Sequence, residues 1–372
     1  MKNYAILGAG GFIGYRLTEY LHLNSIAAPR PIVRSFRSMA RVSRFHLDVR
    51  LANATDVTSL SDALNGCDVA FHCVVGNRDT ILNSVDAAYA ACRQAGVRRL
   101  VYLSSAVVMG SSPEPGTDEN TPLKENQRFE YNVSKVMAER RLRKLMGDGA
   151  VECVLLRPCI VFGPRSTYWS AQLASDLLAG KAYLINGGKG ICNTIYIDNL
   201  VELMVLCATH PAATGNTYIA KDAERVTWRE LYGSVAQAIG VDEASILNLD
   251  LDIAAGRSTL AKSWRGVARV VWRNRLVRAA KELVRSEATV GLAIQLRAKL
   301  LTPSPTNDVK AESPYSLDPE LVTLQMCRYE LPTRKAAAEL NFAPKVSFPE
   351  GARRTQEWLR FASGGSDKIV ES

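Results

Sequence analysis

Apolar and polar positions fall into blocks along the first half of the chain. Tyr4-Ala5-Ile6-Leu7 is an apolar run with room for one strand. Phe12, Ile13, Leu17, Tyr20 and Leu21 then recur at helical spacing. Pro31-Ile32-Val33 reads as a second strand, and Asn53-Ala54-Thr55-Asp56 ends a third and opens a helix, with Thr55 or Asp56 as the N-cap. Residues 68–75 form a buried strand broken at Gly76-Asn77, residues 81–95 a helix, and residues 97–103 the next strand. A loop rich in Pro, Gly and charge covers 111–126, and another helix begins near Phe129. Strands that alternate with helices at intervals of about 25 residues predict a parallel, doubly wound α/β sheet. Its ligands belong beyond the C-terminal ends of the strands.

The first strand and the first helix are joined by Gly8-Ala9-Gly10-Gly11-Phe12-Ile13-Gly14. Such a turn suits a dinucleotide. Glycine permits a tight turn, lets a pyrophosphate approach the backbone, and lets helix pack close to strand. The helix N-terminus then offers unpaired N–H groups and a partial positive charge. A strand-to-helix turn with no ligand is the plainer reading. Beyond the second strand come Arg34, Ser35, Arg37 and Ser38, with no Asp or Glu between Glu19 and Asp48. An acidic residue there would bind a free ribose 2′-hydroxyl, whereas arginine accommodates a 2′-phosphate. The pattern favours NADP and leaves NAD open, unless these arginines are only a solvated loop.

Ser104-Ser105 ends the strand at 103, where active-site residues would project. Tyr131 and Lys135 lie one helical turn apart and so share a face. A phenol with a pKa near ~10 is a poor acid or base at neutral pH. A neighbouring ammonium favours the phenolate and tunes the group for proton exchange with a hydroxyl or carbonyl. The spacing alone is a frequent accident. Its order after a glycine fingerprint and a Ser-Ser strand end gives it meaning.

With these stretches in place the chain resembles the extended short-chain dehydrogenase/reductases, the NAD-dependent epimerase/dehydratase group. Gly8, Gly11 and Gly14 match the G-x-x-G-x-x-G motif. Asn53 stands where the family usually has an adenine-contacting Asp. His72-Cys73-Val74 resembles the strand end beside the cofactor, and Asn83 an Asn on the following helix. Residues 104–110 resemble S-S-x-x-V-Y-G, with Met109 in place of Tyr. Glu119 and Pro122 resemble the acidic-then-Pro loop, and residues 157–165 the signature R-P-x-x-V-Y-G-P-R. Residues 193–200, 333–344 and 350–359 match the family's later segments.

The resemblance implies a Rossmann-type sheet with a smaller, discontinuous substrate-binding lobe. It implies Ser105 as hydrogen-bond donor to the reacting oxygen, Tyr131 as general acid/base, and Lys135 as the residue that holds the nicotinamide ribose and lowers the tyrosine pKa. Cofactor contacts are expected from Gly8, Gly11, Phe12, Ile13, Gly14, Arg34, Arg37, Asn53, Ala54, Cys73, Tyr131, Lys135 and Pro158. Substrate contacts are expected from Ser105, Arg165 and Asn193. The expected division is 1–165 with 191–205 for the dinucleotide domain, 166–190 and 206–363 for the substrate lobe, and 364–372 as a polar tail.

Composition adds two things. Eight cysteines without a CxxC pair and four dispersed histidines give no metal-ligand spacing and fit buried thiols in a reducing cytoplasm. No signal peptide and no long uncharged apolar stretch is visible. The net charge of +9 is concentrated: residues 255–300 hold eleven Arg or Lys against two Glu. This insert (255–310) reads as basic amphipathic helix. It could lie peripherally on an anionic membrane, or be a packed subdomain; nucleic acid is disfavoured, since no recognised motif accompanies it. A homodimer is the family's expectation. The first functional reading is an NAD(P)-dependent nucleotide-sugar epimerase or reductase in polysaccharide or glycolipid synthesis. The alternatives are a membrane-associated dehydrogenase of a lipid alcohol, similar to 3β-hydroxysteroid dehydrogenases, and a non-catalytic NAD(P) sensor.

Overall fold

The computed structural model describes residues 1–251 and 317–363. In chain order the elements begin β1 (Asn3–Leu7), α1 (Phe12–Leu23), β2 (Ala28–Val33), α2 (Phe36–Met39), β3 (Arg50–Leu51), α3 (Val57–Leu64) and β4 (Val69–His72). They continue α4 (Arg78–Gln94), β5 (Arg99–Leu103), α5 (Glu130–Leu145), β6 (Glu152–Pro158), β7 (Ile160–Phe162), α6 (Leu173–Leu178) and β8 (Tyr183–Ile185). After these come β9 (Thr194–Tyr196), α7 (Ile197–Thr209), β10 (Thr217–Ala220), α8 (Trp228–Ala238), β11 (Leu247–Leu249), α9 (Pro319–Gln325), α10 (Arg334–Leu340) and α11 (Phe348–Ala362). The basic insert at 255–310 and the tail at 364–372 lie outside the described residues.

Seven strands form one sheet in the order β10-β6-β5-β4-β1-β2-β3, with every neighbouring pair parallel. Helices cover it, and the result is the doubly wound Rossmann-type α/β fold that the alternating pattern predicts. Its strands read as continuous apolar runs because both faces are covered. Ala5 and Leu7 of β1, Ala70 of β4, Leu100 and Tyr102 of β5 and Leu155 of β6 pack against Leu60 and Leu64 of α3, Val85 and Ala88 of α4, and Leu142 of α5. Pro29 and Pro31 sit inside β2 without breaking a ladder, because β3 pairs only with Ile32 and Val33.

The described chain divides into two compact units. One comprises Met1–Val161, Asn193–Glu224 and Arg328–Phe348. The expected substrate lobe included 206–224 and 328–348, which group with this compact unit. Residues 217–220 pair in register with 155–158 of β6 and complete the edge of the central sheet. The later segment is held to the same unit by side-chain amides. Asn193 donates through Nδ2 to the Tyr329 carbonyl at 3.1 Å and accepts from the Leu331 amide at 2.9 Å. Asn199 does the same for Val346, donating to its carbonyl at 2.8 Å and accepting its amide at 3.0 Å.

The second unit comprises the described residues of Phe162–Cys192, Arg225–Cys327 and Pro349–Ser372. It contains the parallel pair β8–β11 and an aromatic cluster in which Trp228 meets Trp169 at a tilt and Tyr232 edge-on, at centroid distances of 5.5 and 6.2 Å. The buried Gln325 amide ties this unit together: Oε1 accepts from the Ile185 amide at 2.8 Å and Nε2 donates to the Tyr183 carbonyl at 3.0 Å.

Candidate active site and cofactor cradle

The site in the first unit is built at the C-terminal ends of β1, β2, β4, β5 and β6. At the end of β1, Gly8 adopts φ +82°, and a Cβ there would stand 2.9 Å from the Cys73 carbonyl oxygen at the end of β4. The Gly11 amide donates back to the Gly8 carbonyl at 2.9 Å and closes the turn. A Cβ on Gly14 would lie 2.5 Å from that same carbonyl, so α1 can approach β1 this closely only with glycine. Gly11 is the N-cap of α1 and supplies no side-chain cap. The first-turn N–H groups are therefore available to an anion. Phe12 and Ile13, half-buried, follow at once. This cradle, which any larger side chain would fill, fits a dinucleotide pyrophosphate.

Beside it runs the segment after β2. Arg34 and Arg37 are exposed. Ser35 caps α2 through the Ser38 amide, and a Cβ on Gly10 would meet the Ser38 Cβ at 2.9 Å. Arg41 donates to the Gly10 carbonyl at 2.8 Å. That contact was not singled out from the sequence, although Arg41 continues the same basic run. Asn53 and Ala54 close β3's loop. The Asn53 Oδ1 accepts from the Thr55 amide at 3.2 Å and its hydroxyl at 3.0 Å, while Asp56 is the N-cap of α3.

At the end of β5, Ser105 caps a short 3₁₀ turn over 106–109, its Oγ accepting from the Val107 amide. The first three turns of α5 carry Tyr131, Lys135 and Glu139. Tyr131 is 39% exposed, so a substrate can reach its phenol, while Lys135 is 3% and Glu139 0% exposed. The Lys135 Nζ donates to the Leu103 carbonyl at 2.8 Å and lies 5.4 Å from the centre of the Tyr102 ring. Burial pulls its pKa down to about 8, against the pull of Glu139.

Behind the lysine stand His72 and Cys73. The Ser84 hydroxyl donates to the Ile81 carbonyl and accepts from His72 Nε2 at 3.1 Å, which leaves Nδ1 with the lone pair. Burial and the Lys135 charge lower the His72 pKa to about 3. Burial pushes the Cys73 thiol up to about 12. Both groups are neutral at pH 7. All eight cysteines are free thiols, and no group of three metal-ligating side chains occurs among the described residues.

Beneath this site lies a buried polar group that the residue pattern does not reveal. Glu139 accepts from Ser104 Oγ at 2.6 Å, from Arg157 Nη2 at 2.7 Å and from Arg143 Nη2 at 2.9 Å. Arg157, read as part of a signature, is fully buried and also donates to the Glu119 carbonyl at 3.1 Å. Pro158 ends β6 immediately after it. The two substrate candidates are placed apart in the division of the chain. Asn193 belongs to the first unit, where its amide is occupied in holding 329–331. Arg165 belongs to the second, with a backbone φ of +70°. No described helix is long and apolar enough to cross a membrane.

Known proteins fit this geometry. The sequence profile of the NAD dependent epimerase/dehydratase family matches residues 4–220. A 4-hydroxy-2-methyl-3-oxo-4-farnesyl-3,4-dihydroquinoline-1-oxide ketoreductase from Stigmatella aurantiaca is 25% identical over 70% of this chain and 80% of its own. A UDP-glucose 4-epimerase from Vibrio cholerae is 28% identical over 64% of this chain and 76% of its own. Among solved structures, the dTDP-glucose 4,6-dehydratase of Streptomyces venezuelae, which has NAD bound, superposes with a TM-score of 0.68 at 18% identity. That match covers 97% of this chain and 98% of the other. Fold, glycine cradle and family profile agree, and the chain belongs to the NAD-dependent epimerase/dehydratase family, enzymes of the extended short-chain dehydrogenase/reductase type.

Proposed function

We propose that the chain transfers hydride between a nicotinamide cofactor and a carbon that alternates between secondary alcohol and ketone. The observation that carries this reading is the exposed Tyr131 phenol one helical turn from the buried Lys135 ammonium. The glycine turn and the α1 N-terminus hold the pyrophosphate, and Lys135 holds the nicotinamide ribose. The cofactor supplies or accepts the hydride. In the reducing direction a C–H bond forms at the carbonyl carbon, the C=O π bond breaks, and the Tyr131 hydroxyl gives its proton to the oxygen. Oxidation reverses each event. Ser105 Oγ donates to the same oxygen and stabilises the charge that develops on it. The Lys135 ammonium favours the tyrosinate that remains.

The substrate we propose is a nucleotide sugar, epimerised or reduced in polysaccharide or glycolipid synthesis. Support comes from the likeness to UDP-glucose 4-epimerase and from the guanidinium of Arg165, whose fork suits a diphosphate. A second reading, oxidation or reduction of an apolar ketone or lipid alcohol, is favoured by the residues after Ser105. Ala106 and Val107 bring no polar side chain beside Ser105, Val108 and Met109 turn into a buried apolar cluster, and the ketoreductase relative is named for a farnesylated ring. Exposed Arg34 and Arg37 favour NADP as the cofactor.

The test is to denature the purified protein and identify any nucleotide released. NAD near one per chain supports an epimerase cycle, in which the cofactor is oxidised and regenerated in place. A protein that is empty, binds NADPH over NADH and consumes it with an apolar ketone supports the second reading. Failure to bind either nucleotide removes both.

A further inference from the structure

Glu139 is the buried anion of the site. Its carboxylate receives Ser104 Oγ at 2.6 Å, Arg157 through Nη2 at 2.7 Å and Nε at 3.3 Å, and Arg143 through Nη2 at 2.9 Å and Nε at 3.2 Å. Two pieces of backbone are thereby fastened to α5, which itself supplies Arg143. Ser104 lies one residue before Ser105, and its own amide donates to the Leu156 carbonyl of β6 at 2.7 Å. Arg157 belongs to β6 itself. On α5, Glu139 is one turn beyond Lys135, as Lys135 is one turn beyond Tyr131.

The groups around Lys135 decide its charge. Glu139 acts on it from α5, where Tyr131 lies one turn before it, Tyr102 from β5, and His72 and Cys73 from the end of β4. Arg157 of β6 reaches it through Glu139. Burial keeps Tyr102, Cys73 and His72 uncharged at pH 7. Arg157 is a second buried cation. Of Glu139, Tyr102, Cys73 and His72, Glu139 alone is negative at that pH, held ionised by its arginines and the Ser104 hydroxyl against the cost of burial.

We propose that Glu139 is the positioning residue of the acid/base set: its carboxylate keeps Lys135 charged and fixes the Ser105 strand end against α5. The proposal rests on the reading of Lys135 as a cofactor-binding ammonium. Glu139 touches neither substrate nor cofactor and acts through Lys135 and Ser104.

The test measures the affinity of the full chain for NADH and NADPH between pH 6 and 10. Affinity falls as Lys135 loses its proton, and the midpoint of the fall reports that residue. Glu139→Gln removes the anion, and the midpoint moves down by about one pH unit. Arg143→Ala removes a partly exposed guanidinium, leaves the carboxylate less neutralised, and moves the midpoint up by a few tenths. A brace with no electrostatic role would lower affinity equally at every pH. An unmoved midpoint in Glu139→Gln, or shifts of the same sign in both variants, overturns the proposal. Should Glu139→Gln fail to fold, an unmoved midpoint in Arg143→Ala overturns it alone. A parent chain that binds neither nucleotide at any pH overturns the reading of the site itself, and this proposal with it.

Discussion

The Lys135 ammonium donates to the carbonyl of Leu103, the last residue of β5, at 2.8 Å. The strand that delivers Ser105 and the helix that delivers Tyr131 are thus joined through the lysine between them. On the proposed reading, loss of this side chain is expected to disturb both proton chemistry and cofactor binding, and loss of the Tyr131 hydroxyl only the first.

Tyr131→Phe is therefore expected to lower kcat by about 10²–10⁴-fold with the cofactor Kd changed less than about threefold. Lys135→Met lowers kcat and weakens cofactor binding together. Steady-state kinetics beside calorimetric titration of NADH and NADPH separates the two. Turnover that survives in Tyr131→Phe would show that another group carries the proton.

The glycine cradle gives a second prediction. Gly14→Ala places a methyl 2.5 Å from the Gly8 carbonyl, where only backbone can yield. The expected cost is about 1–3 kcal/mol, seen as a lower Tm, together with weaker cofactor binding as α1 tilts from the turn. Gly147→Ala is the control, since a Cβ there meets nothing within 4 Å and its φ is not in the left-handed region. It should leave both measurements unchanged within error.

His72 predicts an acid limb in stability. Its folded pKa of about 3 lies below the ordinary value of 6.5, so the unfolded chain binds the proton more readily. Its contribution is complete above about pH 6.5 and is lost as pH falls toward 3, at about 1.4 kcal/mol for each unit. Depressed carboxylates such as Glu139 lose their contribution only below their ordinary range, but the buried Asp222 carboxyl, raised to about 7, shifts stability in the opposite sense between pH 6.5 and 5, so the histidine is read from the comparison with a variant that lacks it. From pH 6.5 to 5 the stability of the parent relative to His72→Gln, measured by urea unfolding, should fall by about 2 kcal/mol. Equal differences in both would assign the limb elsewhere.

The basic run after β2 predicts the cofactor. Arg37→Glu should weaken NADPH by about 10–100-fold, the loss of a charge-assisted contact to a 2′-phosphate, and leave NADH within about threefold. Equal losses for the two cofactors would mean that the arginine does not meet the adenosine ribose.

Much of this arrangement is local in sequence and was legible there. A glycine turn between strand and helix, a Ser-Ser strand end and a tyrosine–lysine turn each need only neighbours a few residues apart. What escaped the sequence depends on distant partners. Glu139 looks like a surface residue of a charged helix until Arg157 and Ser104 arrive from two strands. Asn193 reads equally well as a phosphate contact, yet its amide is occupied by residues 329–331. The short run at 217–220 has a strand's composition but nothing that names β6 as its neighbour.

That last pairing bears on how the protein is made. The sheet begins with residues 3–7, yet its far edge is β10, and Tyr218 on that strand donates to Glu339 at 2.9 Å while Lys221 pairs with Glu330 at 2.9 Å. A ribosome adding about 5–20 residues per second needs roughly 5–25 s to travel from the end of β10 to these closing segments. Through that interval the nascent nucleotide domain stands with an uncapped parallel edge. Chaperone engagement, and the harm done by a premature stop after residue 224, should both concentrate there.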